Sequence, residues 1–202
     1  MNVGVLASGA GTNLQALIDR VHGRNGVELV AAASDNPQAP ALERARKAGI
    51  PLQAFPLGDH ADREARDRAI AAWLGRRETE LVVLAGYMQL LAPAFLEPFP
   101  DRVINVHPAL LPAFAGLNAV EQAIAYGVKV FGVTVHFVDE GVDTGPVILQ
   151  RAVEMPDARV ATEVIDRLRP LEHELLPEAV RLIARGALSR DPGNPRRVLI
   201  DR

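Results

Sequence analysis

Residues 3–15 have the sequence VGVLASGAGTNLQ, in which an apolar run, a glycine-containing turn and a helical pattern follow one another. The run Val3–Ala7 is typical of a short buried strand that ends at Ser8. A strand that is followed by a turn and a helix begins the unit from which parallel sheets are built. This segment therefore predicts an α/β fold. After the turn, apolar residues return at helical spacing, at Leu14, Leu17, Ile18 and Val21.

The same alternation continues through the first half of the chain. Residues 81–85, LVVLA, form a continuous apolar run, as expected of a parallel strand that is buried on both faces. Repeated strand–helix order implies parallel strands that are joined by right-handed crossovers. Besides these segments, the patterns predict strands at 29–33 and 51–55 and helices at 40–48 and 61–74.

The second half has a different order of elements. A strand at 103–107 is stopped by a proline, and a helix at 117–126 is closed by a glycine. The alternating strand 128–138 and the apolar run 146–149 have no helix between them, so they are predicted to pair antiparallel. The sheet is thus expected to be mostly parallel with an antiparallel C-terminal portion and helices on both faces.

The C-terminal region begins with a helical pattern from Val160. Pro170 falls inside this pattern and predicts a kink or a break there. Further on, Pro192 and Gly193 precede the apolar residues 198–200, which predicts a loop and an edge strand.

Composition limits the classes of function. The chain has 202 residues, of which 49% are apolar and 23% are charged, as in an ordinary globular domain. A net charge of −3 provides no basic excess, so neither nucleic acid nor a membrane is an expected partner. Cysteine is absent, which excludes disulfides and thiolate metal ligands. The N-terminus lacks a signal-peptide pattern, and a cytoplasmic protein with small-molecule substrates is predicted.

The turn between the first strand and the first helix is the first candidate site. Glycines allow close approach of a ligand, and a helix N-terminus offers backbone amides and a positive dipole end to phosphate. Leu14 stands where a dinucleotide-binding fingerprint requires a third glycine, so a monophosphate fits better than NAD or ATP. The alternative is a plain helix cap, since Thr12 and Gln15 have the spacing of a capping box.

Asn105 and His107 form the second candidate site. Residues two apart on a strand project to the same face, and ligands bind at the C-terminal edge of parallel strands. An amide beside an imidazole suits acyl transfer, because the amide can hold an oxyanion and the imidazole can move a proton. The alternative is a pair of side chains that only satisfy backbone groups at the end of the strand.

An acidic loop, residues 139–145, is the third candidate. Most loops of this kind are simple turns, but Asp143 could pair with His107 and favour its charged form. The other four histidines, at positions 22, 60, 136 and 173, carry weaker signals. Because no paired His spacing or His-Glu-x-x-His motif occurs, no metal site is predicted.

These features together resemble the phosphoribosylglycinamide formyltransferases of the formyltransferase superfamily, over roughly residues 1–185. The resemblance rests on four segments in order, which are SGAGTNLQ at 8–15, LAGYM at 84–88, NVHPALLP at 105–112 and HFVDEGVDTGPVILQ at 136–150. It implies a Rossmann-like formyltransferase fold in one domain, 1–202. Within it, residues 1–100 would bind phosphate, 101–160 would hold the catalytic and folate-binding groups, and 160–202 would form the last helix and tail.

The resemblance also implies a role for individual residues. Asn105, His107 and Asp143 match the catalytic trio, and the cosubstrate is 10-formyltetrahydrofolate, with no metal. The ribonucleotide would be held by Gly11, Thr12, Asn13 and Glu172. The formyl-folate would be held by Arg63, Met88, Gln89, Leu90, Leu91, Asn105, Asp139, Glu140, Gly141 and Val142. Gln89 stands where the family commonly has an arginine for the glutamate tail of the folate, and another arginine could substitute for it.

The implied reaction is formyl transfer to the amine of 5′-phosphoribosylglycinamide in purine biosynthesis, by a monomer or homodimer. A formyltransferase for a sugar-nucleotide amine is the nearest alternative, and a tRNA formyltransferase or a formyl-folate hydrolase would carry further domains. A binding module without activity and a Rossmann-type oxidoreductase are the alternatives from other classes. The first is disfavoured by the retained trio and the second by Leu14.

Overall fold

The computed structural model describes residues 1–201, within which nine strands, six α-helices and one 3-10 turn follow one another. The strands are β1 (Asn2–Leu6), β2 (Glu28–Ser34), β3 (Leu52–Ala54), β4 (Leu81–Leu84), β5 (Val103–His107), β6 (Val130–Phe137), β7 (Val147–Glu154), β8 (Leu188–Asp191) and β9 (Asn194–Ile200). The helices are α1 (Thr12–Arg20), α2 (Pro40–Lys47), α3 (Arg63–Gly75), α4 (Pro93–Leu96), α5 (Ala119–Tyr126) and α6 (Ala161–Ala184), and the 3-10 turn is Leu57–Asp59.

Seven strands form one mixed sheet in the order β3-β2-β1-β4-β5-β6-β7, and β8 and β9 form a second, two-stranded sheet. The pairs from β3 to β5 are parallel, whereas β6 and β7 are antiparallel. The predicted fold class is therefore confirmed, including the antiparallel C-terminal portion. The chain divides into two compact units, Met1–Asn105 and the residues from Val106 on, so that the division falls inside β5.

The core of the first unit follows from its apolar runs. All four residues of β4 are buried, and Val3, Val5 and Leu6 of β1 are fully buried beside it. Burial of each such side chain stabilises the fold by about 1.5–3 kcal/mol. The strands that sequence patterns predicted at 3–7 and 81–85 are thus confirmed, since only a strand with both faces covered needs an unbroken apolar run.

The parallel register places three chain segments at one edge of the first unit. Leu6 pairs with Leu84, and Leu84 pairs with Asn105, so β1, β4 and β5 end side by side. The turn that follows β1, the loop that follows β4, and Asn105 itself lie at these carboxyl ends. Ligands bind at this edge in open α/β sheets.

The second unit contains helix α6, which runs from Ala161 to Ala184 with Pro170 and Pro177 inside it. A kink or a break was predicted at Pro170. The break is wrong, since the helix continues through the proline, and the kink stays a prediction. Pro170 is exposed, while Leu168 and Leu175 on the packed side are almost fully buried. Burial of that apolar face holds the helix together, although proline removes one backbone hydrogen bond.

The tail also differs from its prediction as a loop and an edge strand. β8 and β9 form an antiparallel hairpin of their own, with Leu188 opposite Ile200 and Arg190 opposite Val198. The hairpin turns at residues 192–193, where proline and glycine favour a reversal of the chain. Across residues 1–201, no helix combines the length and the apolar character that a membrane span requires.

Candidate active site

The turn after β1 is shaped by a close contact between Gly11 and Ala41. Gly11 is the N-cap of α1 and has a φ of 70°. A Cβ atom there would lie 2.6 Å from the Cα atom of Ala41, so no other residue fits without displacing α2. The backbone amide of Gln15 donates the first bond of α1, to the Gly11 carbonyl at 2.9 Å. The amides before it have no carbonyl within the helix, which is the arrangement that binds phosphate.

The alternative of a capping box at this turn is not supported. Thr12 is the first residue of α1 and not its N-cap, and the side chain of Gln15 bonds to Asp19 and Arg44. Arg44 also donates from Nε to the Ala10 carbonyl at 2.8 Å. The turn is therefore held by α2 from outside, and its shape does not depend on a cap. Asn13, the third residue predicted to hold the ribonucleotide, is 7% exposed.

The loop after β4 is joined to this turn by two hydrogen bonds. The Met88 amide donates to Ser8 Oγ at 2.9 Å, and the Ser8 amide donates to the Gly86 carbonyl at 3.0 Å. The side chains of Met88 and Leu90 are 63% and 57% exposed, whereas Leu91 is half-buried. Exposed large apolar side chains beside a polar turn are typical of a ligand-binding surface.

Gln89 belongs to a buried polar network in the same loop. Its amide nitrogen donates to Asp35 Oδ2 at 2.9 Å, and its oxygen accepts from Arg66 at 3.4 Å. Arg66 and Asp67 are 1% and 0% exposed and form an ion pair at 2.8 Å. The second oxygen of Asp67 accepts from the Ala92 amide at 2.7 Å, so the pair anchors the end of the loop.

This network shows that Gln89 has structural partners of its own. Arg66 is occupied by Asp67 and is too deeply buried to reach a ligand in solvent, so it is not the substitute arginine that the sequence analysis allowed for. Arg63, by contrast, is exposed at the first position of α3. Sequence reasoning missed the network because Arg66 and Asp67 lie on an otherwise ordinary amphipathic helix.

His107 and Asp143 meet in the second unit, as the sequence analysis anticipated. His107 Nδ1 lies 3.3 Å from Asp143 Oδ2, and the histidine side chain is 6% exposed. The other ring nitrogen, Nε2, lies 2.9 Å from the Phe114 carbonyl oxygen. Both ring nitrogens thus face oxygen atoms that accept hydrogen bonds, and these two partners fix the orientation of the ring.

His136 is a functional candidate that sequence reasoning did not single out. Its Nε2 atom lies 3.5 Å from the Asp143 oxygen Oδ1, and its Nδ1 atom lies 2.8 Å from the Phe137 carbonyl oxygen. The Asp143 carboxylate is therefore flanked by two histidines, one at each oxygen. The available signal was the position of His136 near the end of β6, directly before the acidic loop.

The environment of Asp143 stabilises its ionised form. Burial alone would raise the pKa of the carboxyl. The hydrogen bond from His136, the hydrogen bond from the Gly116 amide and the charge of His107 together lower it by more, so that the pKa falls to about 2. The Gly116 amide donates to Oδ2 at 2.8 Å. The backbone of Asp143 has a φ of 53°, in the left-handed region, so its surroundings hold it in a strained conformation.

The acidic loop is a closed turn that also carries Asp143, so the interpretation as a turn does not exclude the contact with His107. Asp139 Oδ1 accepts from the Gly141 amide at 3.1 Å and from Thr144 Oγ1 at 2.6 Å, which closes the turn. Gly145 packs on the Phe137 carbonyl with no room for a Cβ atom. Glu140 and Val142 are exposed at the tip of the loop.

Two further predicted site residues are located by the structure. Asn105 is half-buried on β5, two residues before His107 on the same strand. Glu172 is half-buried on α6 in the second unit. Among residues 1–201, no cluster of three or more His, Cys, Asp or Glu side chains could hold a metal ion.

The fold and this set of groups define an α/β enzyme with acid–base and hydrogen-bonding residues at the end of a central strand. The family model described as "Formyl transferase" matches residues 1–180, and the chain belongs to this formyl transferase family. A phosphoribosylglycinamide formyltransferase of Bacillus subtilis is 41% identical over 178 residues, which cover 88% of this chain and 91% of the relative.

Other relatives agree with this assignment. A Mycobacterium tuberculosis protein named phosphoribosylglycinamide formyltransferase is 44% identical over 180 residues, which cover 89% of this chain and 83% of that protein. The crystal structure of glycinamide ribonucleotide transformylase 1 from Symbiobacterium toebii superposes with a TM-score of 0.95 at 44% identity. The superposition covers 100% of this chain and 94% of the Symbiobacterium toebii chain.

Proposed function

We propose that this chain transfers the formyl group of 10-formyltetrahydrofolate to the primary amine of 5′-phosphoribosylglycinamide, in purine biosynthesis. The observation that carries the proposal is the Asp143 carboxylate at 3.3 Å from His107, with Asn105 on the same strand. The names of the relatives support formyl transfer and the acceptor, phosphoribosylglycinamide. Enzymes of formyl transfer need a proton donor and an oxyanion partner, and this strand supplies both.

In the proposed reaction, the amine nitrogen attacks the formyl carbon of the folate and a tetrahedral intermediate forms. The carbonyl electron pair moves to oxygen, where the Asn105 amide and the His107 imidazolium stabilise the charge. Collapse of the intermediate breaks the bond from carbon to N10 of the folate. His107 exchanges its contact with the Phe114 carbonyl for the reacting atoms and delivers the proton from Nε2 to N10. The neutral imidazole then takes up the proton that the amine nitrogen loses, so His107 ends the cycle as an imidazolium.

Asp143 orients His107 in this mechanism and compensates its charge. A carboxylate whose pKa is about 2 is ionised throughout the neutral pH range, so it holds the histidine partner without taking up its proton. His136 acts on the other carboxylate oxygen and keeps Asp143 in place.

Gly11, Thr12 and Asn13 are proposed to hold the phosphate of the ribonucleotide. The support is the left-handed Gly11 at the start of α1, where the positive end of the helix dipole favours a phosphate. Glu172, an acceptor of hydrogen bonds, is proposed to contact the ribonucleotide as well.

The formyl-folate is proposed to lie against Arg63, Met88, Leu90, Leu91 and the loop residues Asp139, Glu140, Gly141 and Val142. The exposed apolar side chains of Met88 and Val142 support this, since a pterin ring needs apolar contact. Gln89 contributes by holding the loop through its bonds to Asp35 and Arg66.

The decisive experiment is a formyl-transfer assay with 10-formyltetrahydrofolate and 5′-phosphoribosylglycinamide on the unaltered protein and on Asp143→Asn. Robust transfer that falls by about 10²-fold or more in the variant supports the proposal. Asp157→Asn, a change of the same kind at an exposed loop position, is the matched control and should keep full activity. Folate binding without transfer to this ribonucleotide would contradict the proposed acceptor and direct the search to other amines, including sugar-nucleotide amines.

A further inference from the structure

We propose that the C-terminal hairpin, β8 and β9, positions the loop that carries Asp143, and that Arg196 is the positioning residue. The inference rests on the proposed function for its kinetic test, while its structural test does not. All residues involved belong to the second unit. The hairpin lies outside the sequence motifs and outside the family match, which ends at residue 180.

The hairpin is stabilised by contacts within itself. Asp191 Oδ1 accepts from the Gly193 amide at 2.8 Å, which closes the turn, and Asp191 Oδ2 pairs with Arg197 at 3.3 Å. At the other end, the Asp201 amide donates to the Ala187 carbonyl at 2.9 Å. A hairpin with both ends tied is a defined support from which side chains can reach a neighbouring loop.

Two arginines extend from the hairpin to the region of the histidine–aspartate cluster. Arg196 donates from Nη2 to the Thr144 carbonyl at 2.7 Å, and Thr144 directly follows Asp143. The guanidinium carbon of Arg190 lies 4.4 Å from the centre of the Phe137 ring, and Phe137 directly follows His136. Each arginine therefore contacts the chain neighbour of a residue in the cluster.

The loop needs such support because of the conformation of Asp143. A non-glycine residue with a φ of 53° is strained, and strained residues persist where surrounding contacts fix them. The bonds from Asp139 to Thr144 and Gly141 lie within the loop itself. Arg196 adds an anchor from outside the loop, on the peptide group next to the strained residue.

From this geometry, we expect loss of the Arg196 side chain to lower turnover but not the stability of the fold. Its side chain is exposed and contacts a backbone oxygen, so its removal leaves the core intact. Loss of the bond frees the Thr144 carbonyl and lets the Asp143 carboxylate depart from His107. Because the ribonucleotide is proposed to bind at Gly11 to Asn13, its KM should not follow kcat.

The test compares Arg196→Ala with Arg197→Ala in the formyl-transfer assay. Arg197 is the adjacent arginine and is also exposed; its ion pair with Asp191 lies at the surface and contributes little to stability, so its loss leaves the hairpin folded. In Arg196→Ala, kcat should fall about tenfold, the factor that the loss of one charge-assisted hydrogen bond produces, with an unchanged KM for the ribonucleotide. Arg197→Ala should keep kcat within about twofold, and Arg196→Lys, which retains one donor, should recover most of the loss.

Hydrogen exchange of the backbone amides of residues 138–146, measured without substrate, provides a readout that does not depend on activity. Exchange should be faster in Arg196→Ala than in the unaltered protein and unchanged in Arg197→Ala. Equal exchange in all three proteins, or an equal loss of kcat in both alanine variants, overturns the inference. If exchange differs between the variants as expected but the unaltered protein transfers no formyl group, only the proposed function is contradicted.

Discussion

His136 Nε2 lies 3.5 Å from Oδ1 of Asp143, although the two residues are seven positions apart on a strand and a loop. The contact occupies the carboxylate oxygen that faces away from His107. The carboxylate therefore has a fixed partner at each oxygen, and rotation of its plane would break one of the two contacts. This arrangement makes His136 the residue that orients the carboxylate.

The first prediction concerns the ionisation of Asp143 in His136→Phe. Asp143 has a lowered pKa, about 2, and the hydrogen bond from His136 is one of the causes. Removal of that bond raises the pKa, so the ionised carboxylate is lost at a higher pH as the solution is acidified. The pKa of the Asp143 carboxyl, followed by carboxyl-carbon NMR in an acid titration, should rise by about one pH unit.

The matched control for this variant is His60→Phe, at a histidine in the first unit that stacks on Phe55 with ring centres 6.2 Å apart. Its Asp143 pKa should coincide with that of the unaltered protein. If the pKa of Asp143 in His136→Phe also stays in place, His136 has no part in the ionisation of Asp143.

The second prediction concerns Asn105 at the end of β5. Asn105→Ala removes an oxyanion donor, so kcat should fall about 10²–10³-fold while the KM values change little. Asn105→Asp keeps the shape but replaces a donor by a negative charge beside the developing oxyanion, so it should be at least as damaging. A mild Asp variant with a damaged Ala variant would mean that position 105 only fills space. Steady-state kinetics with both substrates measures kcat and KM in the two variants.

The third prediction concerns the turn before α1. Gly11→Ala places a Cβ atom 2.6 Å from the Cα of Ala41 at a φ of 70°, so we expect a loss of about 1–3 kcal/mol in the free energy of unfolding. The KM for the ribonucleotide should rise about tenfold or more, because the helix N-terminus is displaced. Gly9→Ala is the control in the same turn, since a Cβ atom there meets nothing within 4 Å. If the KM for the ribonucleotide in Gly11→Ala is as low as that in Gly9→Ala, the shape of this turn does not contribute to phosphate binding.

The fourth prediction concerns the buried ion pair of Arg66 and Asp67. Asp67→Asn leaves the guanidinium buried without its charge partner, so the free energy of unfolding should fall by about 3–5 kcal/mol. Glu64→Gln removes the exposed ion pair with Arg68 on the same helix and should change stability within measurement error. Urea denaturation measures both, and a small effect of Asp67→Asn would show that water enters the site.

Much of the first unit could be predicted from the sequence, because buried parallel strands require unbroken apolar runs. The strand at 81–85 is an example in which a local pattern has one structural explanation. The pairing of Asp143 with His107 was expected as one of two alternatives. Only the structure shows that the two side chains meet, because no local sequence pattern indicates a contact between residues 36 positions apart.

The missed features depend on tertiary packing. His136 lies in the alternating pattern of β6, and its role depends on where the acidic loop returns. A break of α6 at Pro170 was one of the two expected outcomes, but the helix continues because the buried face around Leu168 and Leu175 outweighs one lost hydrogen bond. The hairpin of residues 188–200 contains few apolar residues, and it is held by Asx turns and strand pairing, which a hydrophobic pattern does not register.

The exposed side chains of Met88 and Leu90 have a calorimetric consequence. They are 63% and 57% exposed, so water that hydrates apolar carbon surrounds both of them. A ligand that covers this pair releases that water, and the release of apolar hydration gives a negative change in heat capacity. The heat of binding of the folate should therefore become more favourable as the temperature rises. The heat of binding of the phosphorylated substrate, which engages backbone amides, should vary far less with temperature.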